Sequence, residues 1–340
     1  MTPEAKTSTQ PTPALLFDTL NAHQRTEAIK TAIELDLFTA IAEGKTKASE
    51  IAEACEASVR GIRILCDYLV IIGFLTKTDN LYGLTQDSAT FLDKHSPAYM
   101  GTVIEFILSP HVIDNFRDFT NSVKRGGSAP DAASIQPDSI MWVKFARAMA
   151  PMMAMPSQLL APLIDPDAKD KLKILDIAAG HGLYGLAFAK RNPQAEVTAV
   201  DWPNVLEIAN ENARAAGVLD RYQTKPGSAF DVDYGTGYDI VLLTNFLHHF
   251  DVPTCEGLLR KVYAALKDGG RAVTLEFVPN ADRVSPPQAA SFSVMMLGMT
   301  PSGEAYTFAE LDQMFRNAGF ARSEMQELPP TIQRVVISYK

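Results

Sequence analysis

The feature that most restricts the fold of this chain is a glycine-rich segment between a short apolar run and an amphipathic stretch. Leu172-Lys-Ile-Leu-Asp-Ile reads as a strand, Asp176-Ile-Ala-Ala-Gly180-His-Gly182-Leu-Tyr-Gly185 overlaps its end, and Leu183 to Arg191 has helical spacing. A strand that turns through glycines into a helix is the opening unit of a parallel sheet. The alternation continues: Ala195 to Asp201 and Tyr238 to Thr244 read as strands, Val205 to Gly217 and Cys255 to Leu266 as helices. Lys267-Asp-Gly-Gly then reads as a turn into the strand Arg271 to Glu276. This predicts an α/β, Rossmann-like doubly wound sheet over 167–340. After a helix from Phe308 to Ala318, the runs Arg322 to Glu327 and Gln333 to Tyr339 predict a closing antiparallel hairpin.

With 340 residues, 46% of them hydrophobic, the chain can bury a second, smaller core. Residues 14–95 supply its pattern. Ala28, Ile29, Ala32, Ile33, Leu35 and Leu37 recur at helical spacing, Lys47-Ala-Ser-Glu-Ile opens a short helix with Ser49 near its start, and Val59 to Ile72 is amphipathic and stopped by Gly73. Phe74 to Lys77, the turn Thr78-Asp-Asn and Leu81 to Thr85 read as a hairpin, which completes a mainly helical, winged-helix pattern. From Asp36 to Asp87 there are eight acidic residues against five basic ones (Lys45, Lys47, Arg60, Arg63, Lys77), the wrong balance for a DNA reader. A packing and dimerisation module is expected instead. Residues 1–13 read as a disordered tail. Residues 96–166 read as a helical linker with breaks, including a loop at Gly126-Gly127-Ser-Ala-Pro130 and a Met-rich run from Met141 to Met155.

The formal net charge is −9, which disfavours nucleic acid and anionic membranes as partners. Cys55, Cys66 and Cys255 form no CxxC pair, so a reducing, cytoplasmic setting is expected. There is no apolar signal core and no run of eighteen apolar residues.

The last part of the glycine segment fits GxGxxG, and an acid, Asp201, follows about twenty residues on at a strand end. Such an acid can accept both hydroxyls of a ribose, so NAD and S-adenosylmethionine both remain possible. Asp176 separates them. A carboxylate at the mouth of the loop repels a pyrophosphate and welcomes the ammonium of a methionine tail, directly or through water.

At this point the chain resembles the class I methyltransferases, and within them the dimeric small-molecule O-methyltransferases of plant caffeate type and their bacterial relatives. Asp176 to Gly182 resembles the DxGxGxG motif, with Ala178 in place of its first glycine. Asp201-Trp202-Pro-Asn-Val resembles the D-L-P-x-V ribose motif. Gly227-Ser228-Ala229-Phe230 resembles the G-D-x-F segment beside the adenine, with serine in place of aspartate. Leu247-His248-His249-Phe250-Asp251 resembles L-H-D-W-x-D. The resemblance implies S-adenosylmethionine as cofactor and S-adenosylhomocysteine as product. It assigns cofactor contacts to Asp176, Ala178, Gly180, Gly182, Asp201, Trp202, Ser228, Ala229, Phe230 and Asn245. It makes His248 the general base, oriented by Glu276, and it implies a homodimer. The family's second acid falls at Ala305, with Glu304 one residue away.

The methionines and aromatics Trp142, Phe145, Met149, Met295, Met296 and Met299 are candidates for an apolar acceptor wall, though such residues more often serve ordinary core packing. His248 and His249 are adjacent and lack a third ligand, so no metal is expected. The reading is therefore methylation of a hydroxyl on a small aromatic molecule. A carbon or nitrogen acceptor on the same fold, an NAD-dependent oxidoreductase and a DNA-binding ligand sensor are the alternatives.

Overall fold

The computed structural model describes residues 10–129 and 139–340, so the expected tail lies largely outside the described residues, as does Pro130 of the expected loop. The chain divides into two compact units, Met1–Ile104 and Glu105–Lys340.

In the smaller unit the helices are α1 (Ala14–Leu20), α2 (Ala22–Glu34), α3 (Leu37–Ala42), α4 (Ala48–Ala54), α5 (Val59–Ile71) and α6 (Gln86–Phe91), with a hairpin of β1 (Leu75–Thr78) and β2 (Leu81–Leu84). The helical spacing that ran through Leu35 and Leu37 is split in two by Asp36, whose φ is +55. Glu50 rather than Ser49 caps α4, its carboxylate accepting the N–H groups of Thr46 and Lys47. Gly73, at φ +87, ends α5 as expected. Leu37, Phe38, Ile51, Ile62 and Leu69 are fully buried and form the core. Arg63, Lys77 and the Tyr82 hydroxyl all bond to Asp67, which occupies two of the five basic residues counted above.

The larger unit is built on a seven-stranded sheet in the order β5-β4-β3-β6-β7-β9-β8. Its strands are β3 (Leu172–Ile177), β4 (Ala195–Asp201), β5 (Tyr222–Pro226), β6 (Tyr238–Thr244), β7 (Leu266–Glu276), β8 (Arg322–Glu327) and β9 (Arg334–Tyr339). The first five run parallel, while β9 is antiparallel to both β7 and β8. The expected turn at Lys267 to Gly270 lies inside β7 as a bulge: Tyr238 pairs Leu266, and the ladder resumes with Ile240 opposite Arg271.

A single turn, α7 (Ile104–Ile107), stands at the unit boundary in sequence, followed by α8 (Pro110–Arg117), α9 (Phe119–Arg125) and α10 (Ile140–Ile164). Helices α11 (Leu183–Arg191), α12 (Pro203–Ala215), α13 (Val252–Ala265), α14 (Pro287–Met299) and α15 (Phe308–Asn317) connect the strands. The 25-residue α10 runs unbroken through Pro151, Pro156 and Pro162. Each internal proline costs roughly 3 kcal/mol. Burial of Ala146, Ala148, Met149, Met153, Leu160, Ala161 and Ile164 offsets that cost. Its end is tied to the sheet layer: Arg271 donates to the Ile164 carbonyl at 2.7 Å, and Asn192 to Asp165 at 2.9 Å. The residues read as a linker from 105 onward thus belong to the larger unit.

Candidate active site

Parallel strands present their C-terminal ends along one edge of the sheet, and the chain reverses its direction of travel at β3. Asp176 in β3, Asp201 at the end of β4, Asn245 after β6 and Glu276 at the end of β7 all lie at that edge.

The loop after β3 is shaped by its carboxylates. Asp176 is fully buried; its Oδ2 accepts the Gly185 N–H at 3.0 Å, while Oδ1 has no partner. Burial pushes its carboxyl up to about 7. Asp201 accepts the Gly180 N–H at 2.8 Å and the Trp202 N–H at 2.7 Å, and burial raises it to about 6. Gly182 sits at φ +76, and a Cβ there would come within 2.6 Å of the Tyr222 hydroxyl. Ala178, in the place of a glycine, holds φ +54. His181 is buried, kept neutral with its pKa lowered to about 4, and its Nδ1 accepts the Leu183 N–H.

Beyond β6, Asn245 (φ +54) turns the chain into the 3-10 turn Leu247–His249. Glu276 closes that turn: Oε1 accepts the N–H groups of Phe246 at 2.9 Å and Leu247 at 3.0 Å. Its Oε2 lies 2.5 Å from Nδ1 of His248, with both side chains about 5% exposed. Nδ1 therefore carries the proton and donates it to the carboxylate, leaving the Nε2 lone pair for another partner. Phe292 sets its edge against the His248 ring at 4.8 Å and stacks on Phe277 at 4.0 Å. Burial and the His248 ring hold His249 well below the usual imidazole range, so it is neutral.

Of the two acids around His248, the structure brings in only Glu276. Glu304 bonds Arg283 at 2.6 Å and is half-exposed, and Ala305 is buried. Among the apolar candidates, Trp142 packs with Trp202 in a cluster around Val205 and Ile208, on the Asp201 side. Phe145 meets Trp142 and Phe106 edge-on. Met149 and Met296 are buried, Met295 is half-buried, and Met299 touches Asn115. Ser228 accepts the Phe230 N–H, and Phe230 joins Phe246 and Phe250 in an aromatic trio.

Sequence reasoning missed the groups that brace these loops. Lys261 donates to the carbonyls of Ala229, Phe230 and Val232. The Tyr184 hydroxyl receives Asn245 Nδ2 at 3.2 Å and reaches the Met153 sulfur at 3.2 Å, and Gln333 bonds the Asn245 carbonyl. Only helix position marked Tyr184, and nothing local marked Lys261 or Gln333. Among the described residues, no group of three or more His, Cys, Asp or Glu is placed to hold a metal, and no helix is long and apolar enough to cross a membrane.

Carboxylates under and beside a glycine loop, with open space above Gly180, suit a cationic nucleoside rather than a pyrophosphate. The sheet order, that loop and the buried His–Glu pair define a class I S-adenosylmethionine-dependent methyltransferase. The chain belongs to the O-methyltransferase family: the O-methyltransferase domain profile matches residues 135–321, and the O-methyltransferase dimerisation domain matches residues 17–94. It is 54% identical to a candidate O-methyltransferase of Nostoc punctiforme, whose crystal structure matches with a TM-score of 0.94 over 98% of this chain and 100% of that one. The 3-hydroxy-5-methyl-1-naphthoate 3-O-methyltransferase of Streptomyces sahachiroi is 28% identical over 90% of this chain and 89% of its own length. Human N-acetylserotonin methyltransferase in complex with S-adenosylmethionine shares the fold, at 20% identity and a TM-score of 0.84 over 98% and 99% of the two chains. The dinucleotide and DNA-sensor alternatives are set aside.

Proposed function

We propose that this O-methyltransferase acts on a hydroxyl of a small aromatic molecule, with His248 as general base and Glu276 as its orienting acid. The observation that carries this reading is the buried 2.5 Å contact between His248 Nδ1 and Glu276, which frees Nε2. S-adenosylmethionine, when bound, supplies a methyl group already activated on a sulfonium. The chain's share is to bind, orient, exclude water and remove one proton.

Asp201 keeps lone pairs beyond its two backbone bonds and would hold the ribose hydroxyls. Gly180, Gly182 and Ala178 let the backbone approach the cofactor. Trp202, Ser228, Ala229 and Phe230 would flank the adenine. Asp176, whose Oδ2 holds the loop through Gly185, would meet the methionine ammonium through Oδ1, directly or through water, and Asn245 would contact the cofactor from the turn that carries His248. His248 Nε2 takes the acceptor's proton as its oxygen attacks, and Glu276 stabilises the imidazolium that results. Phe145, Met149, Met295, Met296 and Met299, with Trp142 nearer the cofactor, give an adaptable apolar wall. The naphthoate substrate of the Streptomyces relative supports an aromatic acceptor.

The working unit is a homodimer. Helix α1 buries none of its own residues and exposes Leu15, Leu16, Phe17 and Leu20 at 56–79%, an apolar face that a second copy would cover. The three cysteines are free and buried, in keeping with the reducing cytoplasm.

The test is methyl transfer to a panel of phenols by wild type and His248→Ala. Loss of about a hundredfold or more in kcat, with S-adenosylhomocysteine binding retained, is expected. Undiminished transfer by the variant would favour a carbon or nitrogen acceptor.

A further inference from the structure

Two polar side chains of the larger unit have no part in this scheme. His111 and Asn115 stand four residues apart on α8 and so share one of its faces. His111 Nε2 is buried and has no hydrogen-bond partner among the described residues. Asn115 is 9% exposed, and its Nδ2 reaches only a thioether, the Met299 sulfur at 3.4 Å, which is a weak acceptor. A buried polar atom left without a partner, as His111 Nε2 is, costs about 1–3 kcal/mol, and the neighbouring Asn115 is held by a weak acceptor alone.

Met299 ends α14. Phe292, seven residues earlier on the same helix, sets its edge against His248. Seven residues are two turns and rise about 10 Å. One face of α14 therefore runs, apolar through Met295 and Met296, from the His248 imidazole to the amide of Asn115.

We propose that His111 and Asn115 form a specificity subsite for a second polar group, a hydroxyl or carbonyl, at the far end of the acceptor. The acceptor's reacting hydroxyl lies at His248, so the proposal rests on the acceptor reading above. Two helical turns separate the two ends, a length on the scale of a flat acceptor of one or two rings. Asn115 offers both donor and acceptor, so either kind of polar group is served. An acceptor without the second group leaves His111 unpaired and Asn115 with only its thioether partner, and sites built to hydrogen-bond a substrate group discriminate most strongly in this way.

The experiment compares 2,6-dihydroxynaphthalene with 2-naphthol, using the full chain as wild type, Asn115→Leu and His111→Phe. Two readouts are taken: kcat/KM for methylation, and calorimetric binding to protein saturated with S-adenosylhomocysteine. Wild type is expected to favour the diol by about 10- to 100-fold, and the variants to lower that ratio to about two, the statistical factor. Thermal stabilisation by S-adenosylhomocysteine reports folding, with Asn115→Ser as the milder substitution should Asn115→Leu fail. A wild-type ratio near two, or a ratio unchanged in folded variants, overturns the subsite. Preferred binding of the diol without transfer to either compound keeps the subsite and overturns the acceptor reading. Binding of neither compound overturns both.

Discussion

Replacing Glu276 with glutamine isolates the orienting role from mere occupancy. Glu276 accepts four hydrogen bonds: three from the backbone of the turn through Oε1, the longest from the His248 N–H at 3.5 Å, and one from the His248 ring through Oε2. Glutamine has one oxygen. Placed toward Phe246 and Leu247, it satisfies the backbone and turns its NH2 toward His248 Nδ1. A donor there forces Nδ1 to accept, so the imidazole proton moves to Nε2 and the base is blocked. The opposite placement sets the NH2 against the turn's N–H groups and strands those of Phe246 and Leu247, the two closer ones, in a buried site, at about 1–3 kcal/mol each. The variant therefore folds with the wrong tautomer. A general base contributes about 10²–10⁴-fold, and a mis-set tautomer forfeits most of it, or about 3–5 kcal/mol of barrier. The assay is steady-state transfer to a phenolic acceptor, with calorimetric S-adenosylhomocysteine affinity expected within about threefold of wild type. Long-range proton–nitrogen NMR reads the His248 tautomer without any acceptor. Transfer within about threefold of wild type, or a His248 still protonated at Nδ1, would refute the reasoning.

Burial raises Asp176 to about 7 and Asp201 to about 6, so between about pH 4 and 7 the folded chain holds more protons at these sites than the unfolded chain. Their contribution to stability is full at the low end and is lost as pH rises; Asp176→Asn should lose less Tm than wild type between about pH 5 and 7, and parallel Tm curves would contradict this. Ala178 at φ +54 carries about 1–2 kcal/mol of left-handed strain. Ala178→Gly relieves it but adds about 0.4–1 kcal/mol of chain entropy to the unfolded state, so a Tm gain of up to about 3 °C is expected in thermal unfolding, and a fall would show that the methyl packs favourably.

The parts legible in the sequence were those with local causes. Strands β3, β4 and β6 are buried on both faces and read as apolar runs, and the glycines around 180 and 182 announce a close turn. Strand β5, Tyr-Gln-Thr-Lys-Pro, was not read as a strand, because it lies at the sheet edge and buries only Tyr222 fully. Helix α10 was obscured by its prolines, since local propensity cannot show the packing that overrides it. His248 was found only through resemblance to a family, because one histidine after a strand says little about its partners. Glu304 shows the limit of adjacency in sequence: one residue from the family position, it turns outward to Arg283. Tyr184, Gln333 and Asn115 were invisible because the burial of a polar side chain is decided by groups distant in the chain.

The His248–Glu276 pair depends on register more than on either residue. Thr244 pairs Leu275, and the Asn245 N–H donates to the Leu275 carbonyl at 2.8 Å, so the next residue, Glu276, meets the turn that carries His248. Side chains alternate along a strand, and a slip of one residue between β6 and β7 would swing Glu276 to the opposite face. The amides of Phe246 and Leu247 would then lose their acceptor. Two features oppose the slip. The bulge before Arg271 takes up the residues between Leu266 and the point where the ladder resumes, so irregularity is confined to the far end of the strand. On its other side β7 is locked to β9 from Arg271–Tyr339 to Glu276–Arg334, and Arg334 anchors that corner by donating to the Val278 carbonyl at 2.9 Å. The antiparallel hairpin at the end of the chain thus does more than close the sheet: it fixes the strand that sets Glu276 against His248.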